Sequence, residues 1–413
     1  MNILYVTPYV PSLIRTRPYN LIQALVRMGH RVTLLTAAGA LPEEQVQVEE
    51  LRSYGIKTEV FSVSPMRSLA NCAKVLPTRD PLQAAYAYHP QMEKRLGDLL
   101  QGETFDIVHI EHLRASRLVR AVLNSSTGER VPAVYDSVDC ISSLFEQTAQ
   151  AGAQRRSRMM AVIDLGRTRR YEAQLLTKYD HVVVTSQRDR VALEQLAHRY
   201  LPQDAHPAPV TVITNGVDLD YFRPQDGDGA QGKRMVVFTG KMSYHANVTA
   251  ALHFAQEVLP CIWAKDPEVK FQIVGKDPPE AVRRLVADKR IQVTGTVKDL
   301  RPYLAQATVV VCPVQYAVGV QNKVLEAMAM GKPVVCTSAA LASLNAKEDR
   351  EALVAHDPEE FADHVLQLCS NASLAQRLAR AGRRYVESHH SWDNTTGRLT
   401  GVYELARLEE CRE

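Results

Sequence analysis

Residues 319–333 read Gly-Val-Gln-Asn-Lys-Val-Leu-Glu-Ala-Met-Ala-Met-Gly-Lys-Pro. On a helix, Lys323 and Glu326 are three apart and Asn322 and Glu326 four apart, so all three share a face. The remaining residues are Val, Leu, Ala and Met, which leaves little exposed surface for idle charges. The segment follows an apolar run, Val309–Pro313, and a short loop. A strand-to-helix step of this kind presents free N–H groups and a positive helix end, where α/β sheets bind phosphates. The chemistry served would be recognition of a nucleoside diphosphate. Lys323 would meet the diphosphate and Glu326 the ribose hydroxyls, while Gly319, Val320, Gln321 and Asn322 form the turn against the donor. The plainer alternative is a surface Lys–Glu pair, although Lys before Glu is the weaker orientation.

A second Gly-Lys step, Gly240-Lys241, follows the run Met235–Thr239. Gly240 permits close backbone approach, and Lys241 adds a cation at a strand's carboxyl end. Taken alone it also reads as a tight turn with an exposed lysine. Gly275 and the stretch Gly295-Thr296-Val297 end two further apolar runs, and such loops can hold a base through backbone contacts. Near the N-terminus, Arg15 and Arg17 precede a helix. Glu111, flanked by His109 and His112, ends another run, and Asp136 and Asp139 follow a third. Three ionisable clusters after successive strands suggest a site, although each residue also reads as a loop charge or a helix cap.

These residues are positioned by alternating strands and helices. One series of apolar runs is Ile3–Thr7, Arg31–Thr36, Lys57–Val63, Ile107–Ile110, Ala133–Asp136 and His181–Thr185; a second runs from Met235–Thr239 through Phe271–Val274, Ile291–Thr294 and Val309–Pro313 to Val334–Thr337. Near-continuous apolar runs predict strands covered on both faces, and repeated βα units predict parallel sheets with right-handed crossovers. Leu21, Leu25 and Met28 mark a helix stopped by Gly29. Ala250, Phe254, Val258 and Leu259 mark another, expected to end before Pro260. The Pro-rich stretch 202–209 and the Gly-rich stretch 224–233 flank a short strand, Val210–Asn215, and mark a junction between two Rossmann-like domains.

The 413 residues suit two or three domains, with 46% hydrophobic and 23% charged residues, as in ordinary globular proteins. The net charge of +3 is spread without a strongly basic half, so no nucleic-acid partner is expected. No apolar run reaches the length of a bilayer-spanning helix, and the start lacks a basic, apolar leader, so a cytoplasmic protein is expected. Seven scattered cysteines without a Cys-x-x-Cys pair predict neither a disulfide framework nor a zinc site. No metal-ligand cluster, P-loop or G-x-G-x-x-G is present, so no metal or other cofactor is expected. Arg155–Arg170 is a basic stretch with interleaved apolar residues. It reads as a solvated helix face, or as a peripheral contact with an anionic membrane, here the inner membrane face.

Taken together, GVQNKVLEAMAMGKPVV at 319–335, VTVITNGVDLDYFRP at 210–224, VVFTGKMSYHANVTAALHF at 236–254, and the FQIVGKDPP and IQVTGTVKDLRPYL segments resemble glycosyltransferase family 4 with the GT-B fold, closest to bacterial exopolysaccharide-type sugar transferases. The resemblance implies an α/β fold of two Rossmann-like domains with parallel sheets facing a cleft. Residues 1–205 would bind the acceptor, 206–391 the nucleotide sugar, and a helix at about 392–413 would pack back on the first domain.

It also implies a retaining, metal-independent transfer from a nucleoside-diphosphate sugar to a glycan or lipid-linked acceptor. Lys241 and Lys323 would act on the leaving diphosphate, with Glu111 or a neighbouring histidine, His109 or His112, in the catalytic position. Gly240, Gly275, Val297, residues 319–322 and Glu326 would hold the donor, and Arg15, Arg17, Asp136 and Asp139 the acceptor side. The sequence departs from the family where Val318 replaces a glutamate, where Asn247 replaces a frequent lysine, and where Arg15 and Arg17 replace a Gly-Gly pair. Lys323 is expected to supply the charge missing at 247. Two other readings stand beside this one: a nucleotide-sugar epimerase of the same fold, and a non-catalytic nucleotide-sugar-binding partner.

Overall fold

The apolar runs form strands, and every pairing among them is parallel. The structure is a computed structural model. It describes all residues except 40–41, 125–129, 151–154, 225–233, 316–319, 343, 345 and 411–413, and for 147–150, 155–163 and 409–410 it describes the backbone alone. The chain divides into one unit of residues 1–214 with 395–413, and a second of residues 215–394.

The first unit contains β1 (Asn2–Thr7), β2 (Arg31–Ala38), β3 (Lys57–Ser62), β4 (Ile107–Glu111), β5 (Ala133–Val138), β6 (His181–Val184) and β7 (Val210–Val212), in the order β3-β2-β1-β4-β5-β6-β7. The second contains β8 (Met235–Thr239), β9 (Lys270–Val274), β10 (Ile291–Val293), β11 (Val309–Cys312), β12 (Val334–Thr337) and β13 (Leu353–Ala355), ordered β10-β9-β8-β11-β12-β13. Each order reverses once, between β1 and β4 and between β8 and β11. Open α/β sheets bind ligands beyond the carboxyl ends of strands at such a reversal. The residues singled out in sequence follow these strands.

Leu4, Val6, Val108, Ile110 and Tyr135 centre one core, and Val236, Phe238, Phe254, Phe271, Leu325 and Met328 the other. The division falls after Thr214, later than the expected 205/206, because β7 pairs with β6 (Val182 beside Val210) and so completes the first sheet. The helix Trp392–Glu410 enters the first unit at Thr395, where Leu399, Val402, Tyr403 and Ala406 are buried. Pro260 does not end its helix as expected. The chain makes a wider turn at Phe254–Val258, and Pro260 then opens the helix Leu259–Lys265. A π turn and a first-turn position both tolerate the missing N–H of proline. The short strand β13 was not anticipated. Of the basic stretch, only backbone is described over 155–163. Arg167 donates to the Leu76 carbonyl (2.7 Å) and Arg169 pairs with Glu146, so both arginines hold helices together.

Among the described residues no helix is long and apolar enough to cross a membrane, and no group of three or more His, Cys, Asp or Glu could hold a metal. The six described cysteines are free.

At the carboxyl ends of β8 and β9, Gly240 and Gly275 lie backbone to backbone. A Cβ on Gly275 would stand 1.8 Å from the Gly240 carbonyl oxygen, and Gly240 donates to the Val274 carbonyl (3.0 Å). No side chain fits there. Gly275→Ala is therefore expected to lower stability by at least about 2 kcal/mol, read as a lower denaturant midpoint for the full chain.

Candidate functional site

In the second unit the site is built on β8 and on the helix Asn322–Ala329, which follows β11. Val324, Leu325, Ala327, Met328 and Ala329 of that helix are buried, which fixes its outer face. The face holds Lys323 and Glu326, but they do not pair. Lys323 Nζ donates to Asn247 Oδ1 (2.6 Å) and lies 5.2 Å from the centre of the Phe238 ring. The same Asn247 amide donates through Nδ2 to the Lys241 carbonyl (2.9 Å) and packs against Gly240. One side chain thus joins the Gly240-Lys241 turn to the Lys323 ammonium. Burial pushes Lys323 below the usual lysine range, against the opposing pull of Cys312 and Glu326.

Glu326 has no hydrogen-bond or ion-pair partner among the described residues, and burial pushes its carboxyl up to about 7, with Lys323 opposing. A half-buried carboxylate with idle oxygens beside a poised ammonium is a place for a ligand carrying hydroxyls and negative charge. The Lys241 side chain is exposed; the structure brings its backbone, not its ammonium, to Lys323.

Asn322 accepts from Asn215 Nδ2 (3.2 Å), so the chain leaving β7 touches the start of this helix. Gln321 stands half-buried at the helix entrance and Val320 is buried. Val297 packs half-buried on the apolar core. Gly319 and Val318 lie outside the described residues. Asn247 and Asn215 were not read as site residues, since an amide carries no charge signal in sequence. The place of Asn247, where the family resemblance led one to expect lysine, was the one clue.

In the first unit Arg17, His109, Glu111 and Asp136 are buried, and His109 Nε2 lies 3.8 Å from Asp136. Arg17 binds Asp136 through Nε (2.8 Å) and Nη2 (2.7 Å), and reaches the Ile213 carbonyl through Nη1 (3.0 Å). Asp136 also accepts from the Val138 amide (3.0 Å), where Val138 is held at φ +65°. Both members of the pair are buried, so they are tied to each other and not presented to an acceptor, as the sequence had suggested. His109 is fully buried. It stacks on Tyr5 with ring centres 4.1 Å apart, and its Nδ1 meets the Tyr403 hydroxyl (2.9 Å). Burial, then Arg17, holds it well below the usual histidine range.

His112 takes φ +70°, and its Nδ1 accepts from the Arg114 amide (3.2 Å). Burial, then Arg114 and Arg15, holds it down to about 3. A base this weak suits proton abstraction near neutral pH poorly.

Glu111 receives the Tyr5 hydroxyl at 2.8 Å and the Tyr9 hydroxyl at 3.0 Å. Burial, then Asp136, pushes its carboxyl up to about 8. Burial thus moves Glu111 up and the two histidines down. Arg15 lies apart from Arg17, over the Tyr9 ring at 4.0 Å. Asp139 accepts from Thr185 (3.3 Å), and burial with Asp189 pushes it up to about 7. Tyr5, Tyr9 and Tyr403 were missed in sequence, because buried or half-buried tyrosines read as core.

Residues 15–221, half of the chain, match the family model for glycosyltransferase family 4. The chain belongs to that family. Residues 233–371 match the model for glycosyl transferases group 1. A D-inositol 3-phosphate glycosyltransferase of Nocardioides is 26% identical over 269 residues, covering 58% of this chain and 56% of that protein. Spore coat protein SA of Bacillus subtilis is 25% identical over 224 residues, 47% of this chain and 58% of the relative. The chain spans about half the length of the curated relatives it matches.

Among solved structures, HepE of Anabaena, crystallised with UDP and glucose, superposes with a TM-score of 0.65 at 15% identity over 98% of this chain and 99% of that one. Sucrose-phosphate synthase from Thermosynechococcus elongatus gives 0.62 at 15% identity, over 98% and 99%. The expected fold class, two parallel Rossmann-like sheets of the GT-B type, is the one found.

The raised Glu111 carboxyl makes folding pH-dependent. A group whose folded value lies above its unfolded one stabilises most below the unfolded value, and that contribution fades as pH rises through the folded value. For Glu111 the window runs from about 4.5 to about 8. In Glu111→Gln this contribution is absent. Its stability relative to the parent is expected to improve steadily from pH 5 to pH 8 in paired thermal melts; a constant difference would show that Glu111 does not titrate there.

Proposed function

We propose that the protein is a retaining glycosyltransferase that moves a sugar from a nucleoside-diphosphate sugar, a uridine diphosphate sugar in our reading, to an acceptor hydroxyl in glycan or exopolysaccharide synthesis. The observation that carries the reading is the Lys323–Asn247–Lys241 cluster, with the unpaired Glu326 one turn along the same helix. In this reading residues 215–394 hold the donor and the first unit holds the acceptor. Belonging to the family supports it, and so does HepE, a structural neighbour that binds UDP.

Glu326 accepts hydrogen bonds from two ribose hydroxyls, which favour its charged form. The diphosphate displaces the Asn247 oxygen from Lys323 or shares the ammonium with it. As the bond from the anomeric carbon to the diphosphate oxygen breaks, negative charge grows on the leaving group. A cation already fixed and desolvated stabilises that charge without reorganisation. The acceptor oxygen bonds to the anomeric carbon on the same face, and its proton passes to the departing phosphate oxygen.

Lys323→Ala is expected to lower turnover about 10²–10³-fold, the usual cost of one such donor, with a smaller effect on the Michaelis constant. Asn247→Ala should cost less alone and add little on top of Lys323→Ala, because it acts through that ammonium. Additive losses in this double-mutant cycle would separate the two residues. A protein that binds UDP but neither hydrolyses nor transfers any donor would instead be a non-catalytic binding partner, and release of an altered nucleotide sugar without acceptor would mark an epimerase.

Glu326→Gln should weaken UDP binding in calorimetry by about tenfold, a loss of charge-assisted hydrogen bonds, with the melting temperature little changed. Transfer should also persist in EDTA, since fixed cations take the place of a metal; loss restored by magnesium or manganese would contradict this assignment.

A further inference from the structure

The helix Pro65–Val75 carries its apolar side outward. Met66 is 75% exposed, Leu69 67% and Leu76, at its C-terminal cap, 52%. Ala70 and Ala73 are exposed on the same face, whereas Ser68 and Val75, on the opposite side, are buried. The helix is firmly held: Ser64 caps it by accepting from the Arg67 amide (3.2 Å), and Arg167 binds the Leu76 carbonyl (2.7 Å). Its flank is cationic. Arg67, Lys74 and Arg79 are exposed and have no ion-pair partner among the described residues, and no acidic residue occurs from Val60 to Arg79. The acids at either end are already engaged, Glu59 with Arg95 (2.8 Å) and Asp80 with Arg117 (3.2 Å).

We propose that this face docks on the surface of an anionic lipid bilayer, with Met66, Leu69 and Leu76 entering the acyl boundary and Arg67, Lys74 and Arg79 meeting headgroup phosphates. An apolar stripe flanked by Arg67, Lys74 and Arg79 matches that boundary, where a protein partner would have to supply acids around a greasy groove. At 11 residues the helix lies on a membrane and cannot span it. Pro65 and Ser68 also line a cavity of about 450 Å³ with Tyr9, Arg15, Glu44 and Arg114, at the carboxyl ends of β1 to β3. The docked helix would bring that cavity to the lipid surface, where a lipid-carried acceptor would reach it. The docking itself does not depend on the transfer reaction proposed above, and Arg167 adjoins the face through the Leu76 carbonyl.

The test is co-sedimentation of the full chain with vesicles of phosphatidylglycerol and phosphatidylcholine, against vesicles of phosphatidylcholine alone. The parent should bind the anionic vesicles and release as salt is raised. Met66→Ser with Leu69→Ser should weaken binding more than about tenfold, the loss of two inserted apolar side chains. Arg67→Gln and Lys74→Gln should each weaken it about fivefold. All these side chains are exposed, so melting temperature and UDP binding should stay at parental values, which separates this result from a failure of the donor site. The proposal is overturned if the parent ignores anionic vesicles, or if Met66→Ser with Leu69→Ser binds them as the parent does. It is equally overturned if the parent is a dimer that those substitutions make monomeric, since the face would then belong to a second copy of the chain.

Discussion

The first unit is organised around the ion pair of Arg17 and Asp136, whose side chains are 5% and 0% exposed. Taking two charges from water is expensive, and only close geometry with further hydrogen bonds repays it. Those conditions constrain the surroundings. Asp136 must sit near the end of β5 at the right depth, where Val138 takes a left-handed backbone and the β5–β6 register shifts between Asp136 and Val138. Arg17 must sit in the first turn of its helix and reach the Ile213 carbonyl beyond β7. His109 and Glu111 then take their states from this charge pair and from burial. The histidine is kept neutral beside the guanidinium, and the glutamate is kept protonated longer beside the carboxylate.

The second unit holds its charge differently. Lys323 is bound by a neutral amide, not a carboxylate. Pairing with Glu326 would have cancelled the charge before any ligand arrived. Binding to Asn247 fixes the ammonium in place and leaves its field available. The bare Cα of Gly240 serves the same end, because a Cβ there would stand 2.8 Å from Asn247 Nδ2 and displace the amide that reaches both the turn and the lysine.

The sheets were legible because buried parallel strands are written as continuous apolar runs, and all but β13 could be read that way. Short strands such as Leu353–Ala355 carry too few residues for a period to show. The helix bearing Lys323 and Glu326 was legible from its spacing. What the helix charges bind was not, since Asn247 lies 76 residues from Lys323, and Arg17 lies 119 from Asp136. Ionic residues in loops announce that some partner is needed, and the topology chooses which. Tyr5, Tyr9 and Tyr403 were hidden for a related reason: the ring satisfies the apolar pattern and only the hydroxyl, aimed at Glu111 or His109, reveals the function.

The hydrogen bond from Tyr403 to His109 joins residues 294 apart. During synthesis, residues 1–214 leave the ribosome well before the helix that supplies Tyr403, and the whole of 215–394 is made in between. The nascent first unit must wait with His109 and the surface destined for Leu399, Val402 and Ala406 uncovered. Domains emerging in order ordinarily fold in order. Here the earlier one is completed last, so a stalled or truncated chain would carry an open apolar seam on its N-terminal half, and quality control would meet that seam first.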